Sequence, residues 1–208
     1  MDGVFMRKMF GRLLFCVSLA AAVWLCALIT DKQTLRQELV RLHVVAASDS
    51  AEDQAMKLHL KNAIVDSLKA DMEKLSDAEA AKAYLQENLP KIESLANQVL
   101  QEAGCQDTAT VRLAVEEFST RVYDTFTLPA GVYDALRITI GEGEGKNWWC
   151  VVFPSLCLPA TAEGFEDAAS CAGFSDSLTA ALEGAEGYEI RFWLLDALGR
   201  IENLLHRE

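Results

Sequence analysis

An uncharged apolar run near the N-terminus constrains this chain more than any other feature. The run covers residues 13–29, with Arg7, Lys8 and Arg12 before it and Asp31 after it. A basic flank followed by an apolar run is typical of an export signal or a signal anchor. The run is just short of the ~20 residues expected of a helix that spans a bilayer, but it is within the range of such helices. Because a basic flank stays in the cytoplasm, we expect residues from 31 onward to be exported.

The fate of this N-terminal segment, residues 1–30, has more than one interpretation. It is either a signal peptide that is removed or an anchor that tethers the chain. Ile29 stands where a signal peptidase requires a small residue, so we favour the anchor. A buried core helix is the third alternative. The predicted domains are therefore the segment 1–30 and an exported domain, 31–208.

The charge balance narrows the class of partner. The chain has 208 residues, with 19 basic and 31 acidic side chains. The first thirty residues hold three basic residues and one acidic residue, which leaves 16 basic and 30 acidic residues, a balance of −14, in the remainder. Nucleic-acid binding depends on neutralising phosphates, so no nucleic-acid partner is predicted. The same charge disfavours adhesion of the folded part to anionic lipid.

Four cysteines follow the apolar run and would face an oxidising compartment after export, where disulfides form. Cys150 and Cys157 flank Pro154 in a stretch that should bend, so we favour a disulfide between them. Cys105 and Cys171 are the other two, and four free buried thiols are the alternative. The spacing of cysteine and histidine predicts no metal site, and no cofactor is expected.

The hydrophobic pattern of the exported part changes from helical to alternating along the chain. Strands are predicted at 39–47, 110–118, 133–140, 148–153 and 188–195, and helices at 51–70, from 76, from Pro90 to Ala103 and after 195. Pro129 and Gly131 predict a turn, and residues 160–187 a variable loop. This order predicts an α+β two-layer domain, a mostly antiparallel sheet covered by helices, behind the N-terminal signal or anchor helix.

A glycine-rich segment separates two of the predicted strands. Gly141, Gly143 and Gly145 alternate with Glu142 and Glu144. Two acids would repel phosphate and no helix follows, so a phosphate-binding loop is not favoured. The segment instead predicts a hairpin whose glycines supply positive φ angles.

Candidate catalytic residues are sparse. His43, Asp49 and Asp53 could form a metal or acid–base cluster, but their spacing matches no ligand pattern, and a strand histidine followed by helix-capping acids explains them as well. A nucleophile built from Cys150 and His43 lacks a protease signature. We therefore predict no enzyme, and an exported hydrolase acting on cell wall or peptide is the alternative.

Two adjacent tryptophans, Trp148 and Trp149, should point to opposite faces of their strand. One ring could fill the core while the other lies exposed as a binding contact. The alternative is that both are covered by core and helices.

Several sequence blocks resemble the stage II sporulation protein R family. They are Arg41–Ala46 (RLHVVA), Ser48–Gln54 (SDSAEDQ), Leu128–Arg137 (LPAGVYDALR), Ile140–Pro154 (IGEGEGKNWWCVVFP) with Leu156 and Cys157, and Tyr188–Phe192 (YEIRF). The blocks occur in the family's order over roughly residues 39–195.

The resemblance implies export from the forespore into the space between two membranes during endospore formation, as a secreted or tethered protein. There it would activate a membrane-bound aspartic protease, of the stage II sporulation protein GA type, that processes the pro-form of the early mother-cell sigma factor. The hypothetical partner-binding residues are Arg41, His43, Asp49, Asp53, Glu142, Glu144, Asn147, Trp148 and Trp149, with Gly141, Gly143, Gly145, Pro129 and Gly131 in structural roles.

Overall fold

The computed structural model describes residues 2–154 and 162–206. In chain order the elements are α1 (Asp2–Gln37), β1 (Val40–Val45), α2 (Ala51–Met72), α3 (Ala78–Glu102), β2 (Ala109–Phe118), β3 (Arg121–Val122), β4 (Thr127–Leu128), β5 (Gly131–Ile140), β6 (Asn147–Phe153), α4 (Ala162–Cys171), α5 (Asp176–Glu183) and α6 (Glu189–His206).

Helix α1 carries the apolar run and continues into the folded part. By length and composition, Arg7–Gln37 is apolar enough to cross a membrane, and most of its side chains lie exposed. Near its C-terminal end, Leu28 and Leu35 are instead buried against the domain. The predicted hydrophobic N-terminal helix is confirmed, and its role as cleaved signal or anchor stays a prediction.

Four strands form one sheet in the order β2–β5–β1–β6. Strand β1 is parallel to β5 and antiparallel to β6, and β2 is antiparallel to β5. The α+β class and the mostly antiparallel sheet are thus confirmed. Strands β3 and β4 form a separate small ribbon.

The predicted hairpin at 141–145 is wrong. Strands β5 and β6 are not neighbours, because β1 lies between them. The glycine-rich segment is therefore a crossover that passes over the C-terminal end of β1. The pattern of two strands with a short link could not reveal that a much earlier strand inserts between them.

Helices α2 and α3 cover the first face of the sheet. Alternate residues of β1 and β5 point to this face and meet apolar positions of the two helices, including Val40, Leu42, Val44, Leu136, Ile138, Leu60, Ile64, Leu68, Leu85 and Ala96. Apolar residues that repeat every two positions in the strands thus pack against apolar residues that repeat every 3.6 positions in the helices, as the sequence predicted for β1 and α2.

Helix α3 is continuous, whereas the sequence predicted two helices with a new start near Pro90. Its apolar face runs through the proline, from Leu85 to Ile92 and Ala96, all of them buried. Burial on both sides of Pro90 outweighs the one backbone hydrogen bond that proline cannot donate. The side chain of Asp77, rather than that of Ser76, accepts from the N–H of Ala80 and caps the helix.

The second face of the sheet is covered by the end of α1 together with α4, α5 and α6. Its core contains Leu28, Leu35, Phe118, Phe126, Tyr133, Val151, Phe165, Leu178 and Leu195. The sheet therefore has helices on both faces, one layer more than the two-layer arrangement expected.

Two predictions fail in this second layer. The described part of 160–187 contains α4 and α5 rather than an extended loop, and whether the segment varies among relatives stays a prediction. Residues 189–195 belong to α6, and Tyr188 precedes this helix, so the predicted strand at 188–195 is wrong. Their aromatic and β-branched residues favour strands, but this preference is weak and yields to packing. Leu195, Asp196 and Gly199 are buried at helical spacing.

Candidate partner-binding site

Two connections of the fold meet at the C-terminal end of β1. One follows β1 and leads into α2, and the other is the crossover from β5 to β6. We call residues 46–53 and 141–149 together the strand-end site. The sequence singled out both segments separately, and the structure brings them together.

Backbone hydrogen bonds join the two segments. The N–H of Gly145 donates to the carbonyl of Ala46 at 3.0 Å, and the N–H of Glu144 donates to that of Ala47 at 3.2 Å. The N–H of Lys146 donates to Asp49 Oδ1 at 2.7 Å. These bonds hold the crossover against the loop after β1.

The glycines of the crossover have two different roles. Gly141 and Gly143 have φ angles of +56° and +69°, which favour glycine as predicted. A Cβ added to Gly145 would lie 2.2 Å from the carbonyl oxygen of Ser48. Gly145 therefore permits a close approach of two backbones.

The hydroxyls and acids after β1 act largely within the loop. Ser50 caps α2, because its Oγ accepts from the N–H of Asp53 at 3.0 Å. The hydroxyl of Ser48 donates to the Asp53 carboxylate. Asp53 is thus engaged within the loop, while Asp49 lies exposed beside Lys146.

Lys57 lies beneath the strand-end site and was missed by the sequence interpretation. Its ammonium donates to the Lys146 carbonyl at 3.0 Å and to Gln54 Oε1 at 2.6 Å. Burial lowers the pKa of Lys57, against the opposing effect of Asp49. An unremarkable lysine on a helix offers no sequence signal for this role.

His43 connects the exposed edge of the site to a buried polar cluster. Its Nδ1–H donates to Glu116 Oε2 at 2.6 Å, and its Nε2 lies 2.9 Å from Asn147 Oδ1. Arg137 Nη1 donates to the other oxygen of Glu116 at 3.1 Å. Because Asn147 is exposed and His43 is buried, the asparagine links solvent to this cluster.

Electrostatics favour the ionised form of Glu116. Burial alone would raise its pKa, but the hydrogen bonds and charges of His43 and Arg137 outweigh that effect and lower it. Arg112 lies on the same strand, with its Nη2 3.7 Å from Glu116 Oε1, and it adds a further positive charge beside the carboxylate. Glu116 and Arg137 were also missed by the sequence interpretation.

Arg41 is fully buried in this structure and has no surface for a partner to contact. Its guanidinium lies over the ring of Phe118 at 4.3 Å and donates to Tyr123 Oη at 2.8 Å and to the Cys150 carbonyl at 3.3 Å. The expected partner contact of Arg41 is thus at most indirect.

The two tryptophans point to opposite faces, as predicted. Trp148 packs with the first-face core beside α2, and the Lys61 ammonium lies 5.0 Å from its ring centre. The ring centre of Trp149 lies 5.4 Å from that of His43, and the guanidinium carbon of Arg121 lies 3.4 Å from the Trp149 ring centre. Both rings are half-buried, so neither lies free on the surface.

Comparison with known proteins identifies the family. The family model described as stage II sporulation protein R matches residues 36–163, which is more than half of the chain. The chain belongs to the stage II sporulation protein R family. Stage II sporulation protein R of Bacillus subtilis (strain 168) is 34% identical over 121 residues, which are 58% of this chain and 54% of that protein. The match thus spans about half the length of this relative, and no solved structure matches.

The region shared with the stage II sporulation protein R family holds the whole strand-end site. Residues 36–163 include α2, α3 and the sheet, together with both connections at the end of β1. Helices α5 and α6 lie beyond it. Membership supports a role of this chain in sporulation.

The residues of the alternative hydrolase are not brought together. His43 bonds to Glu116 and Asn147, whereas Asp49 accepts from Lys146. Cys150 belongs to the first-face core, and His43 contacts aromatic rings on the second face. Among the described residues, no group of three or more His, Cys, Asp and Glu side chains could hold a metal ion.

Proposed function

We propose that this chain is an exported sporulation signalling protein that activates a membrane-bound aspartic protease. The protease, of the stage II sporulation protein GA type, would then process the pro-form of the early mother-cell sigma factor. As an activator, the chain needs only to bind the active form of the protease more tightly than the inactive form.

The strand-end site is the observation that supports this proposal. Glu142, Glu144 and Asn147 lie exposed on a crossover that backbone hydrogen bonds fix to the loop after β1. A rigid loop loses little entropy on binding, which favours recognition of a partner. Asn147 also contacts His43, so a partner that binds Asn147 would act on the buried cluster.

The proposed location is the space between the forespore and mother-cell membranes. Helix α1 fits a signal or an anchor, and the acidic charge of the remainder fits a domain that does not adhere to anionic lipid through its charge. A reporter active only after export, fused after Glu208, should be active. Full signalling by an anchor-less protein confined to the cytoplasm would contradict this location.

We further propose a disulfide between Cys150 and Cys157 in the exported protein. Cys150 is buried in the first-face core, and Cys157 lies outside the described residues. Cys105 carries a free thiol. Mass mapping of non-reduced peptides tests the pairing, and a peptide that joins either cysteine to Cys105 or Cys171 would refute it.

Reconstitution in a non-sporulating bacterium tests the activation directly. The chain is produced together with the protease and its pro-sigma substrate, and cleavage of the substrate is followed by immunoblot. We expect cleavage only when both proteins are present. Cleavage by the protease alone, or none with both, would refute the proposal.

Variants of the crossover then test the contact surface. Glu142→Gln, Glu144→Gln and Asn147→Ala should reduce cleavage at equal protein level. The two glutamate variants should keep unfolding free energies within about 0.5 kcal/mol of wild type, as is usual for surface changes. Glu87→Gln, an exposed acid on α3, is the matched control and should leave cleavage unchanged. If the three crossover variants also cleave normally, the contact surface lies elsewhere.

A further inference from the structure

Helix α6 presents an apolar face to solvent. Its buried side carries Leu195, Asp196 and Gly199. On the opposite side, the large apolar residues are exposed to the following fractions: Ile190 68%, Trp193 65%, Ile201 54%, Leu204 65% and Leu205 69%. Spacings of three, four and eight residues place them along one side of the helix. These residues are not buried in the core, so core packing does not explain why this side of α6 is apolar.

The N-terminal end of α6 is fixed to the end of the apolar run of α1. Arg191 donates to Asp31 through Nε at 2.8 Å and through Nη2 at 2.5 Å. Asp31 is the first charged residue after the run 13–29. If the run lies in a bilayer, Asp31 marks the level at which the hydrocarbon ends, because a carboxylate is costly inside it. Arg191 lies at that same level.

The exposed side chains around Arg191 suit the boundary between lipid and water. Tyr188 precedes α6 and is 36% exposed, and Ile190 and Trp193 follow it. Tyrosine and tryptophan are enriched at both membrane interfaces, because the apolar ring contacts lipid while the polar group contacts water. The acidic domain gains nothing from lipid charge, so attraction here would come from burial of apolar surface.

We propose that Tyr188, Ile190 and Trp193 form a membrane-contacting patch that seats the folded domain on the bilayer that holds α1. The proposal rests on the membrane tether of the proposed function but not on protease activation. Because α6 also packs against β5, contact of the patch with lipid would fix the height and orientation of the sheet and of its strand-end site.

Photo-crosslinking of the full chain in vesicles tests the patch. A photoreactive phenylalanine replaces Trp24, Ile190, Trp193 or Leu58, one at a time, in vesicles of phosphatidylcholine that carries a clickable acyl chain. Trp24 lies in the apolar run and reports the tether. Leu58 is a matched negative control, exposed on α2 over the other face of the sheet. Resistance to a protease verifies that each variant folds.

We expect lipid labelling at positions 24, 190 and 193, with yields at 190 and 193 about tenfold above position 58 because interfacial residues remain in contact with lipid. Added phosphatidylglycerol should not change these yields. Labelling at 24 with only background at 190 and 193 overturns the patch and leaves the tether intact. Background at 24 as well overturns both. Labelling at 190 and 193 only with phosphatidylglycerol also overturns the apolar patch.

Discussion

Gly145 shows how a single residue decides whether the strand-end site can form. The crossover passes so close to the loop after β1 that a Cβ on Gly145 would lie 2.2 Å from the carbonyl oxygen of Ser48. That oxygen belongs to the backbone and cannot rotate away, so Gly145→Ala forces the loops apart. We expect a loss of about 1–3 kcal/mol in unfolding free energy, as for overpacking.

Urea unfolding followed by circular dichroism measures this loss. Glu144→Ala is the control, because its side chain is exposed and its backbone N–H still bonds to Ala47. The control should stay within about 0.5 kcal/mol of wild type. Equal midpoints for Gly145→Ala and wild type would show that the two backbones do not approach this closely.

Glu116 gives the stability of the domain a dependence on pH. Its pKa is lowered below 4.5 in the folded state, because the hydrogen bonds and charges of His43 and Arg137 outweigh its burial. A lowered pKa stabilises the fold above the ordinary pKa and ceases to do so as pH falls through the folded value. Glu116→Gln should therefore cost about 2 kcal/mol at pH 7, since it breaks charged hydrogen bonds.

The cost of Glu116→Gln should shrink as pH falls from about 4.5, the ordinary pKa of a glutamate, through the lower pKa of Glu116 in the folded state. Urea unfolding of both proteins at pH 7 and at successively lower pH measures this change. Glu87→Gln, on the surface of α3, is the control and should show no such convergence. A cost that stays constant with pH would mean that Glu116 does not act through its charge.

The sequence identified part of this site at the level of single residues. His43 and Asn147 were both singled out, and they lie 2.9 Å apart at Nε2 and Oδ1. Glu116 and Arg137 were not, although each occupies a polar position of an alternating strand. Only the registers of β1 and of β2 on β5 bring them beside His43, and register depends on long-range pairing that one sequence does not reveal.

Prediction of the elements succeeded where periodicity was local and strong. Strand β1, helix α2 and strand β5 lie close to their predicted bounds, since each has a clear period and punctuation at its ends. The crossover was predicted as a hairpin because strand order is a property of the whole sheet. Helix α6 was predicted to begin as a strand because its apolar outer face adds aromatic and β-branched residues that packing does not use.

Gly199 allows α6 to dock on the turn before β5. A Cβ at this position would lie 1.5 Å from the carbonyl oxygen of Ala130, while Asp196 accepts from the N–H of Ala130 at 2.8 Å. Glycine inside a helix normally costs about 1 kcal/mol relative to alanine, so an ordinary helix would gain from Gly199→Ala. Here we expect the opposite sign, a loss of more than about 1 kcal/mol, because the helix is pushed off the turn.

Thermal unfolding and hydrogen exchange of α6 amides test this docking. Ile201→Ala is the control on the exposed side of the same helix and should leave the unfolding midpoint nearly unchanged. Faster exchange confined to α6 in Gly199→Ala would locate the effect. A variant as stable as wild type, or more stable, would contradict the close contact.

The N-terminal segment predicted to be a signal or an anchor overlaps the segment that folds. The predicted boundary between residues 30 and 31 passes through α1, on a helix whose last turns belong to the second-face core. Leu28 lies before this boundary and Leu35 after it. Removal of the N-terminal segment at the predicted boundary would therefore take one core leucine with it.

A series of N-terminal truncations should measure this overlap. Leu28 and Leu35 are 1% and 2% exposed, and burial of a leucine stabilises a fold by about 1.5–3 kcal/mol. A chain that begins at residue 27 keeps both leucines, one that begins at 31 loses Leu28, and one that begins at 38 loses both. We expect unfolding free energies to decrease in that order, by about 3–6 kcal/mol in total, in urea unfolding followed by circular dichroism.

Leu25→Ala in the chain that begins at 21 is the control, because Leu25 is 51% exposed, and it should leave stability unchanged. Equal stability of the chains that begin at 27 and 38 would show that α1 only tethers the domain. The expected order instead means that a signal peptidase cut compatible with the full core must fall before Leu28, which leaves the last turns of α1 on any released protein.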